Sequence, residues 1–438
     1  MIAHAPIEIW EKILKYAISV PLFFDSDPIS NHGIKRFSEY QFEAEYWQSE
    51  RIRNRLRRVC KSWNIFLRVY QHRYVTLTDL HNGEVPLSAL LVAIRLNFSF
   101  TRSYPASLRS IPRKFVLQDV RRLLKKIIRS ASGESTDVDA PTRWSVQIID
   151  DYEAEDISDL TVLPKIAPRL EAVIGVYASD LTVPLSITNN LVSLYMNEDY
   201  AASRACKWPI SYFPHLTSLR LRPVDLEIPL DQWNLPALQH LSIDPIDPLP
   251  STDAVAYFQR IIEVFGRQLI TFYYNVDCGE FEVPNDFWSY IPRLQHIQLP
   301  HWGEEGPPAN HPLKHVRVPV CSKTSADIYW TDPPAPAATS FPYWEIQSPA
   351  NLRHTSPLTV QLDQPWIKIT MTDFRGRRFK NRIFDLVAFY DNRGTILIDS
   401  AGLTLYEYLV FAIKTYWKGG RGTGLQRRSQ TFNSEMVF

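Results

Sequence analysis

Few residues of this chain have the types and spacing that chemistry needs. His240, His296 and His315 hold matching places in a recurring phrase, with His301 and His311 close by in sequence, and histidine is the commonest ligand of a divalent metal. A metal site requires donors that converge on one point. Thr271 interrupts the series, and strands spaced about 5 Å apart would set the rings along a line, with no carboxylate or thiol beside them. No metal is expected. GGRGTG at 419–424 has the look of a phosphate loop, but it follows the apolar stretch Tyr406–Trp417, which reads as helix, and it lacks the Lys-Ser/Thr ending. The acidic run Asp150–Asp159 reads as a solvated loop, because acid–base work needs convergence that a run does not supply. HExxH, GxSxG, Walker A and kinase signatures are missing from the sequence. The chain therefore reads as non-enzymatic, with no catalytic residue and no cofactor.

What such residues would stand on is a large core. The chain has 438 residues, 45% of them hydrophobic, enough for two or three domains or one long repeat array. Forty-eight basic and 47 acidic residues leave a net charge of +1, so no whole-chain field attracts a polyanion. The stretch Arg51, Arg53, Arg55, Arg57, Arg58 and Lys61 alternates with apolar residues and lacks interleaved aromatics, so it reads as a solvated helix face, and no nucleic-acid partner is expected. Cys60, Cys206, Cys278 and Cys321 lie far apart without a CxxC pair, which fits a reducing compartment. The N-terminus has no basic leader region and no segment approaches a membrane-spanning length. The expectation is an intracellular protein, cytoplasmic, nuclear or both, without a membrane partner.

A phrase recurs in the middle of the chain: PRLEAVIG at 168, NLVSLYM at 190, PHLTSLRL at 214, PALQHLSI at 236, QLITFYY at 268, PRLQHIQL at 292 and PLKHVRV at 312. Its first apolar residues are Leu170, Leu191, Leu216, Leu238, Leu269, Leu294 and Leu313, at intervals of 21, 25, 22, 31, 25 and 19. Alternation within L-x-x-L-x-L turns Leu219 and Leu221 inward and Arg220 outward along a strand. The proline ahead of most copies ends the preceding return segment before a ladder begins. Phrase and period together resemble leucine-rich repeats, in which short strands and return segments stack into a curved solenoid. The residues between the inward ones should line an open sheet face: Ser193 and Tyr195, Ser218 and Arg220, His240 and Ser242, Thr271 and Tyr273, His296 and Gln298, His315 and Arg317. Of these, Tyr195, Arg220, His240, Tyr273, His296, Gln298, His315 and Arg317 are the candidates for holding a target protein, since aromatic and Arg side chains dominate binding energy.

Around residues 166–320, which carry the repeats, other patterns are plainer. LSALLVAIRL at 87–96 and VRRLLKKIIR at 120–129 predict helices, and RWSVQIID at 143–150 a strand, so 81–165 would be a helical linker with possible first repeats. Helical spacing over Asp253–Phe265 predicts a return helix. A Pro-rich connector fills 321–360. After it, PWIKITMTDF and GTILID read as strands and LTLYEYLVFAIKTYW as a helix, so 361–418 would be a small cap or domain and 419–438 a disordered tail.

The first eighty residues hold two amphipathic patterns. HAPIEIWEKIL sets Ile9 and Ile13 on one row and Trp10, Leu14 and Ala17 on the next, in a helix expected over 6–19. Turn formers follow, and then Leu56, Val59, Cys60, Trp63, Leu67 and Tyr70 recur at helical spacing. Pro6, Glu8, Ile9, Ile13 and Leu14, followed by Val59, Cys60, Lys61, Trp63 and Asn64, resemble the two halves of the F-box motif. The chain departs from that motif in Ala5, where a leucine is usual, and in a longer gap, with an insertion at about 24–46 expected to loop out. The resemblance implies that 1–80 is a helical module docking on the Skp-type adaptor of cullin-RING ubiquitin ligases through Pro6, Ile9, Ile13, Leu14, Val59, Cys60 and Trp63. The whole would then be an α/β protein, an F-box followed by a leucine-rich-repeat solenoid, that presents a target to a ligase of the SCF type. The alternative is a repeat scaffold with no ligase attached, whose N-terminal helices only cap the repeats. Exposure of Ile9, Ile13 and Trp63 distinguishes the two.

Overall fold

Every copy of the repeated phrase becomes a strand. The computed structural model describes residues 6–32, 42–97, 144–150, 167–177, 189–197, 212–222, 230–244, 251–275, 283–284, 286–299, 307–308, 310–318, 358–362, 366, 387–388, 390–392 and 394–418. It is α/β, with twelve strands in one parallel sheet, ordered as they follow along the chain. The strands are β1 Tyr74–Thr76, β2 Arg95–Asn97, β3 Ile148–Asp150, β4 Ala172–Tyr177, β5 Ser193–Asn197 and β6 Ser218–Arg222. They continue with β7 His240–Ile243, β8 Thr271–Tyr274, β9 His296–Gln298, β10 His315–Val318, β11 Thr359–Leu362 and β12 Ile396–Ile398. The seven phrases are β4 to β10, and the first leucine of each is buried. Parallel pairing of consecutive strands requires that each connection return to the same end of the sheet, which is the work of the long segments between phrases.

By contacts the chain divides into two compact units, the first mainly Met1–Arg220 and the second mainly Leu238–Ser429. In the first, α1 is Ile7–Ala17, α2 Pro28–His32, α3 Phe42–Leu56, α4 Lys61–Arg68 and α5 Leu77–His81. The second helical pattern of the sequence is therefore broken. Arg57–Cys60 form a turn, Cys60 takes extended angles ahead of α4, and the Arg57 Nε donates to the Asn64 Oδ1 at 2.9 Å across it. Beyond Tyr70, where the helical spacing runs on through Tyr74, the chain turns into a strand, and Tyr74–Thr76 is β1.

Among the described residues, two aromatic and aliphatic clusters pack around the helices of this unit. Leu14, Ile18 and Leu67 form one, with Ile52, Leu56, Trp63, Phe66 and Tyr70 against it. Val20, Phe23, Tyr46 and Tyr74 form the other. The carbonyl of Ile18, an orphan at the end of α1, accepts from Ser49 Oγ at 2.8 Å and from both terminal nitrogens of Arg73 at 3.1 and 3.2 Å. Arg73 also faces Glu50, which grips Arg53 at 2.6 Å, all three being buried. Arg53 is thus no member of a solvated basic face: it answers a carboxylate on its own helix and donates to the Leu67 carbonyl.

In the second unit, α6 Ser251–Phe265 buries Ala254, Tyr257, Phe258, Ile261, Ile262 and Phe265 at three- and four-residue spacing. Phe258 meets Phe272 and Tyr274 of β8 and Phe287 of the short helix α7, Phe287–Tyr290. The Tyr274 hydroxyl donates to the Ala254 carbonyl at 2.7 Å. The predicted helix at 403–417 is α8, Leu405–Lys418, and the predicted strand at 394–399 contains β12.

Other expectations need correction. LSALLVAIRL gives a 3-10 turn, Leu87–Leu91, and then β2, because its end, Arg95 and Leu96, pairs with Tyr74 and Val75 of β1 instead of extending a helix. β11 is a strand that the connector reading hid. Asp150 is no loop residue: it lies buried in β3, where Arg95 of β2 grips both its carboxylate oxygens. The predicted helix at 120–129, residues 151–159, 419–438 and nearly all of 365–374 lie outside the described residues. No helix among the described residues is long and apolar enough to cross a membrane.

Candidate docking face on the N-terminal helices

Two apolar rows run along α1, and among the described residues only one of them is covered. Leu14 and Ile18 face Leu67, and Trp10 meets Trp63 with ring centroids 5.4 Å apart. The other stripe, Ile9, Ile13 and Tyr16, spaced i, i+4 and i+7, is exposed at 43%, 49% and 85%. Pro6 begins the helix, its carbonyl accepting from the amides of Ile9 and Trp10, and is itself exposed. From the turn ahead of α4, Val59 and Cys60 also face outward. On α4 and just after it, Leu67 is buried with Trp63, Phe66 and Tyr70 half-buried against its cluster, while Ile65 and Val69 stand exposed.

Of the seven residues that the sequence assigned to adaptor contact, Pro6, Ile9, Ile13, Val59 and Cys60 are exposed, and Leu14 and Trp63 are not in that position. Leu14 is 2% exposed, because its place on α1 points at Ile18 and Leu67. Trp63 is half-buried against Trp10. Sequence reasoning missed Tyr16, Ile65 and Val69, although an i+7 continuation of Ile9 and Ile13 would have pointed to Tyr16.

The sheet face expected to be open is mostly closed. His240, Thr271, His296 and His315 lie in strict register, as do Ser242, Tyr273, Gln298 and Arg317. Ser193, Ser218, His240, Ser242, Thr271, Tyr273, Gln298 and His315 are buried, leaving Tyr195, Arg220, His296 and Arg317 half-buried. Strands about 5 Å apart bring in-register side chains into contact, so each covers its neighbour. The His240 Nδ1 and Thr271 Oγ1 are 3.1 Å apart, the His296 and His315 rings 5.7 Å, and the Arg317 guanidinium lies 6.0 Å from the Tyr273 ring. Burial, with His240 and Lys314 nearby, lowers the His296 pKa to about 4, and burial pushes the Tyr273 phenol up to about 12 against the pull of Arg317. His311 is committed elsewhere: its Nε2 lies 2.9 Å from the Ile291 carbonyl and its ring meets Trp288. His301 lies outside the described residues. Among the described residues no group of three or more His, Cys, Asp or Glu side chains could hold a metal ion.

Comparisons with protein-family models, with curated proteins and with solved structures returned no significant match.

Proposed function

We propose that the chain is a non-catalytic substrate receptor of the F-box type, joined to the Skp-type adaptor of a cullin-RING ubiquitin ligase through α1 and the turn ahead of α4. One observation carries this reading: Ile9 and Ile13 form an exposed row on a helix whose adjoining row is already covered by α4, and Val59, ahead of α4, is exposed as well. Apolar side chains left exposed together mark a protein interface. Covering the exposed part of each isoleucine would contribute on the order of 1 kcal/mol. A helix that merely capped repeats would turn Ile9 and Ile13 toward the strands instead; Trp63, half-buried against Trp10, does not add to the exposed row.

The strands of phrases 168 to 318 would be leucine-rich repeats presenting a target. Tyr195, Arg220, His296 and Arg317, the half-buried members of the sheet face, are those a target could reach. The receptor would do no chemistry; it would raise the local concentration of target lysines near the ligase. Such work belongs to the cytoplasm, the nucleus or both.

Co-expression with a Skp-type adaptor, followed by size-exclusion chromatography, tests the reading. The wild-type chain should elute with the adaptor, and the Ile9→Asp, Ile13→Asp double variant should elute alone while keeping its circular dichroism. A wild-type chain that elutes alone would refute it.

A further inference from the structure

Residues 22–32, most of which belong to the insertion at about 24–46 expected to loop out, lie against the sheet instead. Phe23 stacks on Tyr46 and meets Tyr74 of β1 edge-on, with centroids at 5.2 and 5.0 Å. The guanidinium of Arg95, on β2, sits 4.3 Å from the Phe23 ring and donates to the Phe23 carbonyl. Three residues on, Ser26 Oγ donates to Glu171 Oε2 at 2.8 Å, just ahead of β4. Asp27, buried, accepts from Ser218 Oγ of β6 at 3.0 Å and from Thr217 Oγ1. Residues at the contact are small: Ala172 and Ser193 share one register, and Ser218 opens β6. The segment also ties itself into a knot. Asp25 accepts from the Asp27 amide at 2.8 Å and from Asn31 Nδ2, and it pairs with His32 at 2.9 Å, while Ile29 is buried beneath.

We propose that residues 22–32 are a strap that locks the helical module bearing the exposed row of Ile9 and Ile13 onto strands β1 to β6, with Asp27 as its far anchor. Unlocked, the module would hang from the sheet by the connection at Gln71–Arg73 and the packing of α3. Locked, the exposed row keeps a fixed distance from the strands. That purpose rests on the adaptor-docking reading; the mechanics do not, and the test uses the chain alone.

The test is a distance distribution between spin labels at Cys60, which is exposed, and at Asn190→Cys, exposed ahead of β5, in the full chain with Cys206, Cys278 and Cys321 replaced by Ser. With Asp27 intact the distribution should be single and narrow, and Asp27→Ala should broaden it about twofold or add a second distance, as expected for a rigid body freed about a hinge. Equal widths with and without the Asp27 carboxylate would overturn the strap, and so would a broad distribution in the parent. Should Asp27→Ala not fold, Ser218→Ala removes one of the two hydroxyl partners and leaves the carboxylate. Broadening there supports the lock and an unchanged width overturns it.

Discussion

The rings of Trp10 and Trp63 meet at 46° with centroids 5.4 Å apart, one from α1 and one from α4. Trp63 therefore holds the module together, and the exposed row of Ile9 and Ile13 belongs to a different face of α1. The two faces should separate experimentally. Trp63→Ala should lower stability by about 2–4 kcal/mol, read from urea denaturation, because it empties a half-buried aromatic contact. Ile13→Asp should leave the midpoint nearly unchanged and act on adaptor binding alone. Equal destabilisation by the two substitutions would show that the faces are one.

Glu50 stands between Arg53 and Arg73 and is the carboxylate partner of both. Glu50→Ala should cost about 3–5 kcal/mol, since it leaves two like charges buried without their partner. A loss smaller than that of an ordinary surface substitution would mean that water reaches the site. The thermal midpoint measured beside Gln48→Ala, an exposed position on the same helix, gives the comparison.

His296 predicts an acid sensitivity with a definite sign. Its folded pKa lies at about 4, below the ordinary 6.5, so below pH 6.5 the unfolded chain takes up a proton that the folded chain refuses. Stability is then lost as pH falls from 6.5 to 4, with a slope of at most about 1.4 kcal/mol per pH unit from this group. Urea midpoints at pH 7 and pH 5 should differ less in His296→Asn than in the parent. The groups facing it, His240, His315 and Lys314, stay in place in both proteins.

Gly266, in the turn after α6, passes close to the end of α7. A Cβ there would lie 2.6 Å from the Tyr290 carbonyl oxygen and 3.1 Å from the Ile291 Cγ2. Since the nearer atom is backbone, Gly266→Ala should destabilise the chain by about 1–3 kcal/mol, measured by thermal melting. A neutral result would mean that α7 yields without cost.

The repeated phrase carried most of the fold's legibility. Alternation of Leu219, Arg220 and Leu221 is a backbone property of strands, and every one of the seven copies became a strand with its first leucine buried. β11 escaped although Leu358, Val360 and Leu362 alternate and are buried, because the prolines before it drew it into a connector. β1 escaped because Tyr74 and Val75 continue the spacing of Leu67 and Tyr70, so a helical period ran on into a strand. Of the candidate docking face, Ile9 and Ile13 could be read from spacing. Which stripe of α1 would be covered could not, since that depends on where α4 lies. Least legible was the strap, whose partners Glu171, Thr217 and Ser218 are ordinary polar residues far away in sequence, and no local pattern announces a contact of that range.

The anchor of the strap also sets a schedule. Thr217 follows Asp27 by 190 positions, and at a synthesis rate of about 5–20 residues per second a ribosome needs roughly 10–40 s to deliver it. Phe23 finds Tyr46 and Tyr74 within seconds of emerging, so one end of the segment is seated while the other waits. The amino-terminal helices of a nascent chain are therefore held through Phe23 before Asp27 has a partner, and their final placement waits until Thr217 and Ser218 have been made.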